Sequence, residues 1–221
     1  LVDFSNRVIN GLNDGALASL GIGNNTISVF GAYRGLLLAD EAQSPLPTSG
    51  GGLEESFGVA FAPASVVAGA AVQAAELLPS HDIGLEFWAM FDLDEAGGKT
   101  NYQYLEQYVD GRINAQFRWK LWTVLGFSNA SSDYFAMASG GQIRYANPRL
   151  KNLRLTQSIL WASGTGDNLS SYLPIQLGEI SGSSYFAFQN ILAPVTELSF
   201  YPLSALALQT GARILFKSGR S

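Results

Sequence analysis

The sequence predicts an all-β chain, arranged as an antiparallel transmembrane β-barrel of about ten strands (ten to twelve). Three observations carry this expectation. Apolar and polar residues alternate with a period of two over long stretches, which is a strand pattern and not a helical one. Charged residues make up 14% of the 221 and apolar ones 47%, where an ordinary soluble domain carries about 25% charge. Several alternating stretches also outrun the roughly five or six residues usual in soluble sheets and are long enough to cross a bilayer at a tilt.

Taken in order, residues 1–25 are unassigned (a first strand, a plug or a short helix), and 26–221 form the barrel domain. Strands are expected at 27–38, 55–62 and 66–78, with a helix as the competing reading of the alanine-rich Ala64–Leu78. Asp82–Asp94 sets Ile83, Leu85, Phe87, Ala89, Phe91 and Leu93 against Asp82, Glu86, Trp88, Met90 and Asp92. Arg112–Phe127 sets Ile113, Ala115, Phe117, Trp119 and Leu121 against Arg112, Asn114, Gln116, Arg118 and Lys120. Because the polar parity continues from Tyr102 to Lys120, Asn101–Phe127 reads as one very long strand, with a hairpin turn at Asp110-Gly111 as the alternative. Further strands follow at 132–146, 153–161, 183–192, 195–202 and 206–216, divided by turns such as Asn147-Pro148-Arg149 and Ala193-Pro194. Two connections, 39–54 and 164–182, are long, and the single long strand places both on one side.

Alternation alone fits a soluble sandwich, whose apolar face packs a core, as well as a membrane barrel, whose apolar face meets lipid. Large aromatics near strand ends (Phe117, Trp119, Phe127, Tyr145, Trp161, Phe200) favour the barrel, since they resemble interfacial girdles. The expected partner is then the lipid bilayer, and the expected location is the bacterial outer membrane. The chain begins at Leu1 without methionine, so either a signal peptide has been removed or this is part of something larger. The absence of cysteine removes disulfide scaffolds and thiolate chemistry, and a single histidine, His81, makes a Ser-His-Asp triad or a multi-histidine metal site hard to build. A net charge of −5 argues against nucleic acid as a partner.

The polar face supplies the candidate chemistry. Counting outward from the turns puts Arg118 opposite Gln142, Gln116 opposite Arg144, Gln142 opposite Arg154 and Arg144 opposite Asn152. Arg112, Arg118, Lys120, Arg144 and Arg154 then form a basic wall, with Glu86 and Asp92 on the same inward face and Glu197 and Arg213 contributed by the last two strands. A basic wall in a water-filled lumen attracts anions, so the expected function is a porin-like channel for small polar or anionic solutes. The plainer alternative is that the charges pair across a narrow lumen and fill it. The chain would then be a non-conducting structural or assembly subunit pairing with other outer-membrane chains. A soluble all-β binding module is the third reading. No catalytic residue, metal or cofactor is expected. Glu86, Asp92 and Glu106 are carboxylates without a fixed separation, and Asp92, Asp94 and Glu95 match no calcium loop. Tyr102, Tyr104 and Tyr108 read as pleat-filling, and His81 as a turn residue.

Leu153–Ser204 resembles the C-terminal part of the alginate-export family of outer-membrane porin-like barrels. The resemblance rests on Trp161-Ala162-Ser163-Gly164-Thr165-Gly166-Asp167-Asn168, on Leu173-Pro174-Ile175, and on Gln189-Asn190-Ile191-Leu192 leading to Pro194. Gly23–Phe30 is similar to an earlier strand of that family, and Gln209–Phe216 to the terminal insertion signal of outer-membrane barrels. What the resemblance implies is a β-barrel fold and a porin-like role.

Overall fold

The computed structural model describes residues 14–33, 64–93, 101–128, 134–164, 169–170, 179–181, 184–185, 190–203 and 206–217. These residues are all-β, with no helix among them. The strands are β1 (Asp14–Ile22), β2 (Asn25–Tyr33), β3 (Ser65–Leu78), β4 (His81–Asp92), β5 (Tyr102–Arg112), β6 (Phe117–Ser128), β7 (Tyr134–Asn147) and β8 (Leu153–Ala162). A small separate hairpin, β9 (Glu179–Ser181) with β10 (Ser184–Tyr185), precedes β11 (Ile191–Leu203), β12 (Leu206–Arg213) and β13 (Phe216–Lys217). Eleven of them form one antiparallel sheet in the order β1-β2-β3-β4-β5-β6-β7-β8-β11-β12, with β13 also on β11. The sheet is open: β1 and β12 are its edges, and they make no contact with each other.

The neighbours in the sheet follow chain order, so the connections alternate between its two ends. At one end the turns are tight: Gly23-Asn24, Pro79-Ser80, 113–116 and 148–152. At the other, the connections from β2 to β3 and from β8 to β11 leave and return, together with those from β4 to β5 and β6 to β7. Gly23 takes φ +60° at the first central position of its two-residue turn, as a type II′ hairpin requires. Pro79 followed by Ser80 at φ +64° matches the type II pattern, which splays strands, and the β3–β4 register slips between Ala74 and Leu78 just beside it.

Four expectations are corrected. First, Asn101–Phe127 is a hairpin of β5 and β6, turning at 113–116 rather than at Asp110-Gly111. Asn114 Oδ1 accepts from the amides of Gln116 (2.8 Å) and Phe117 (3.0 Å), which bends the chain. Arg112 pairs with Arg118, so the even positions stay on one face through the turn and the polar parity conceals it. Second, Ala193-Pro194 is no turn; β11 runs straight through it. Ile214 donates its amide to the Pro194 carbonyl (3.2 Å), but Pro194 has no N–H to return, so the last strand is interrupted there into β12 and β13. The pairs Val195–Arg213 and Leu192–Phe216 keep one register across the gap. Third, of the two readings of Ala64–Leu78 the expected strand holds and the competing helix falls: the segment is β3, paired on both sides. Fourth, the registers shift by even steps: Arg118 faces Arg144, Lys120 faces Gln142, Gln142 faces Ser158 and Arg144 faces Thr156. The β7–β8 turn is longer than Asn147-Pro148-Arg149, because Lys151 and Asn152 take φ of +56° and +52° and extend it to Leu153.

The unassigned N-terminal segment contributes β1, paired with β2 along its whole length. The expected strand at 55–62 and the whole of 39–54 lie outside the described residues, as does most of 164–182.

Candidate functional site

The sheet has two chemically distinct faces, and large apolar side chains stand exposed on one of them. Following the paired registers, one face carries Leu20, Ile27, Val72, Leu85, Phe87, Leu121, Ile143, Ile159 and Leu208, and all are exposed. From Gly15 onward, no paired position on this face is Asp, Glu, Lys or Arg. Two pairs of its polar groups bond across the ladder: Thr196 donates to Gln157 Oε1 at 2.6 Å, and the Thr123 and Ser139 hydroxyls lie 3.3 Å apart. Near the tight turns, Phe117 stacks with Tyr145 (4.9 Å between ring centres) and His81 with Trp119 (5.5 Å); near the opposite end Phe127 meets Phe135 (5.4 Å). Phe117 and Phe127 bound β6, and a rise of about 3.3 Å per residue separates these bands by roughly 33 Å along the strand.

The other face holds the charges. Glu86, Glu106, Asp92, Trp88, Met90, Tyr102, Tyr104, Val67 and Val124 are all buried there, toward the end with the long connections. Glycines make this packing possible. Trp88 lies on Gly69, Tyr104 on Gly126, Tyr108 on Gly84 and Trp122 on Gly140, each glycine directly opposite its ring in the register. A Cβ at Gly69 would stand 2.6 Å from the Trp88 ring, and one at Gly84 would run into the Tyr108 ring. The sequence reading missed this device; the available signal was glycine at charged-face parity inside strands.

The basic residues gather toward the tight-turn end. Arg112, Arg118 and Arg144 form one row across β5, β6 and β7, continued by Thr156 and Glu197. The next row is Asp110, Lys120, Gln142 and Ser158, ending at Val195 and Arg213. Arg118 Nη2 donates to Asp110 Oδ1 (3.2 Å), an acidic partner that sequence reasoning had not singled out. Lys120 Nζ stands 4.5 Å over the Tyr108 ring. Asp110, Arg118, Trp119, Lys120, Gln142 and Arg144 line a hollow of about 80 Å³. Arg154 lies farther along, opposite Ala146 and Ser199. The structure thus unites Arg112, Arg118, Lys120 and Arg144, and leaves Glu86 and Asp92 apart from them. A larger groove of about 610 Å³ opens on the apolar side, where Thr123, Ser139 and Gly141 leave space between Leu121 and Trp161.

Glu86 and Glu106 are direct cross-strand neighbours, with the Trp88 indole N–H on Glu86 Oε2 at 3.2 Å. Both are closed off from solvent, so no saccharide reaches them in this arrangement. His81 Nδ1 donates to the Pro79 carbonyl (2.7 Å) and so braces its turn. No group of three metal-ligating side chains occurs among the described residues; Asp94 and Glu95 lie outside them. Compared with protein-family models, with curated proteins and with solved structures, the chain matches none.

Proposed function

We propose that this chain is a bacterial outer-membrane β-barrel of porin-like type, through which small polar or anionic solutes pass along the basic wall of Arg112, Arg118, Lys120, Arg144 and Arg154. The observation that carries the reading is the apolar face: exposed, free of charge at its paired positions from Gly15 onward, and edged by aromatic pairs. Water would penalise such a surface, and hydrocarbon favours it. At a tilt of about 35° the aromatic bands stand roughly 27 Å apart across the bilayer, close to the roughly 25 Å height of an outer-membrane apolar belt. The segregation of tight turns from long connections agrees with periplasmic turns and external loops. The resemblance of Leu153–Ser204 to the alginate-export barrels belongs to this proposal.

A second reading, a non-conducting structural barrel that pairs with other outer-membrane chains, is favoured by the buried Trp88, Met90, Tyr102 and Tyr104. Ten strands at such tilts enclose a backbone cylinder only about 20 Å across, which side chains of that size fill. Single-channel recording in a planar bilayer under a salt gradient separates the two. A conducting barrel gives current steps with an anion-selective reversal potential, which Arg118→Glu with Arg144→Glu moves toward cations. Silence from vesicle-inserted protein selects the structural barrel, and solubility without detergent overturns both.

A further inference from the structure

We propose that the two free edges, β1 and β12, pair with each other within one chain, Leu20 opposite Leu206 and Ala18 opposite Leu208. This rests on the barrel reading and specifies how the barrel closes. Direction permits it, since β1 runs toward the tight-turn end and β12 away from it, which makes them antiparallel neighbours.

Hydrogen-bond phase permits it as well. Ile22 and Asn25 flank a two-residue turn and are therefore a hydrogen-bonded pair, so Leu20, Ala18 and Ala16 also bond toward β2. That leaves the amides and carbonyls of Ser19, Leu17 and Gly15 on the open edge. On the last strand the Ile214 amide bonds the Pro194 carbonyl, so Ala212, Thr210 and Leu208 face β11, and Gly211, Gln209 and Ala207 are open. Both sets of open groups belong to residues whose side chains lie on the charged face. The edges therefore match with Ser19 opposite Ala207, and the apolar face continues across the seam as Ala18–Leu208 and Leu20–Leu206.

Stagger and strand overlap together select this register from those shifted by two. One unbroken row of paired residues crosses the sheet from Leu20 through Ile27, Val72, Leu85, Gln107, Thr123, Ser139, Trp161 and Leu192 to Phe216. A row perpendicular to the strands thus leaves β1 near the tight turns and arrives at the opposite end of the last strand. Closing Leu20 on Leu206 instead of Phe216 staggers ten strand lines by ten residues. With about 3.3 Å per residue and about 4.8 Å between strands, the tilt is about 35°, inside the range of closed barrels. A stagger of eight would give a tilt of about 29°, outside that range, and one of twelve, at about 40°, would leave only 14–18 of β1 facing 206–210 of β12, where this register pairs 14–20 with 206–212. The buried Nε of Arg213, without a hydrogen-bond partner, lies on this same incomplete edge.

The cysteine-free sequence allows a direct test. Ala18→Cys with Leu208→Cys places two thiols at a non-hydrogen-bonded pair, about 4.5 Å between Cα atoms and within disulfide reach. Ala18→Cys with Ala212→Cys moves one thiol four residues along, about 13 Å away. Both full-length variants are folded in detergent, inserted into phosphatidylcholine vesicles, floated, and oxidised. The expected result is an intramolecular disulfide in most 18/208 monomers and almost none in the 18/212 variant. Floating protein that bridges at 18/212, bridges only between two chains, or does not bridge at all overturns the seam and leaves the membrane reading standing. Protein that fails to float overturns the membrane reading, and the seam with it.

Discussion

Leu121→Arg separates lipid from water as the neighbour of the apolar face. Leu121 is 56% exposed and sits near the middle of β6, between the aromatic bands marked by Phe117 and Phe127. Leu150, in the β7–β8 turn, is 54% exposed, so fractional exposure predicts the same response at both positions. In water, both substitutions exchange an exposed apolar side chain for a soluble one and change stability by no more than about 0.5 kcal/mol. In a bilayer the two diverge. An arginine on the lipid face near the midplane costs about 2–4 kcal/mol, falling to about 0–1 near the interface. That gap is roughly thirty- to a thousand-fold in the folding equilibrium for Leu121→Arg and little for Leu150→Arg. Equilibrium urea unfolding of vesicle-inserted protein, followed by tryptophan fluorescence, measures both. If Leu121→Arg unfolds within 0.5 kcal/mol of the parent, in step with Leu150→Arg, the apolar face does not meet lipid and the reasoning fails.

Other outcomes follow from single contacts. Gly84→Val forces a side chain into the Tyr108 ring and is expected to destabilise by about 1–3 kcal/mol, with Tyr108→Leu in the same chain restoring part of the loss; a thermal midpoint equal to the parent's would count against the ring-on-glycine packing. Asn114→Ala removes the acceptor shared by the Gln116 and Phe117 amides, and about 1–2 kcal/mol of hairpin stability should go with it in a urea titration. Pro194→Val supplies an N–H opposite the Ile214 carbonyl, so hydrogen exchange should find that new amide protected; exchange at the rate of an open loop would show that proline is not what divides β12 from β13.

What was legible in the sequence was whatever period two encodes. β4, β6 and β8 were visible because Leu85, Phe87, Leu121 and Leu155 alternate with Glu86, Trp88, Lys120 and Arg154, and a strand cannot slip by one residue without exchanging its faces. The face assigned to each of the charged site residues therefore agreed with the registers. A slip by two leaves parity untouched, which is why Arg118 was expected opposite Gln142 and stands opposite Arg144. Turns that preserve parity were hidden for the same reason, as at 113–116. Ala193-Pro194 misled in the other direction: proline reads as a breaker, yet only one hydrogen bond was at stake. The glycine partners of Trp88 and Tyr108 are a cross-strand fact, invisible until the strands are laid side by side.

Sheet order that repeats chain order has a bearing on how the molecule comes into being. Each strand from β2 to β8 can dock on the one synthesised just before it, so the chain can assemble as a run of local hairpins without waiting for distant segments to meet. The exception is the outermost strand at either margin. Until it is satisfied, Gly15–Ile22 offers a neutral, proline-free template to any passing strand, including that of another molecule. Refolding yield should accordingly fall as protein concentration rises, and dilution or early capture by a membrane surface should rescue it.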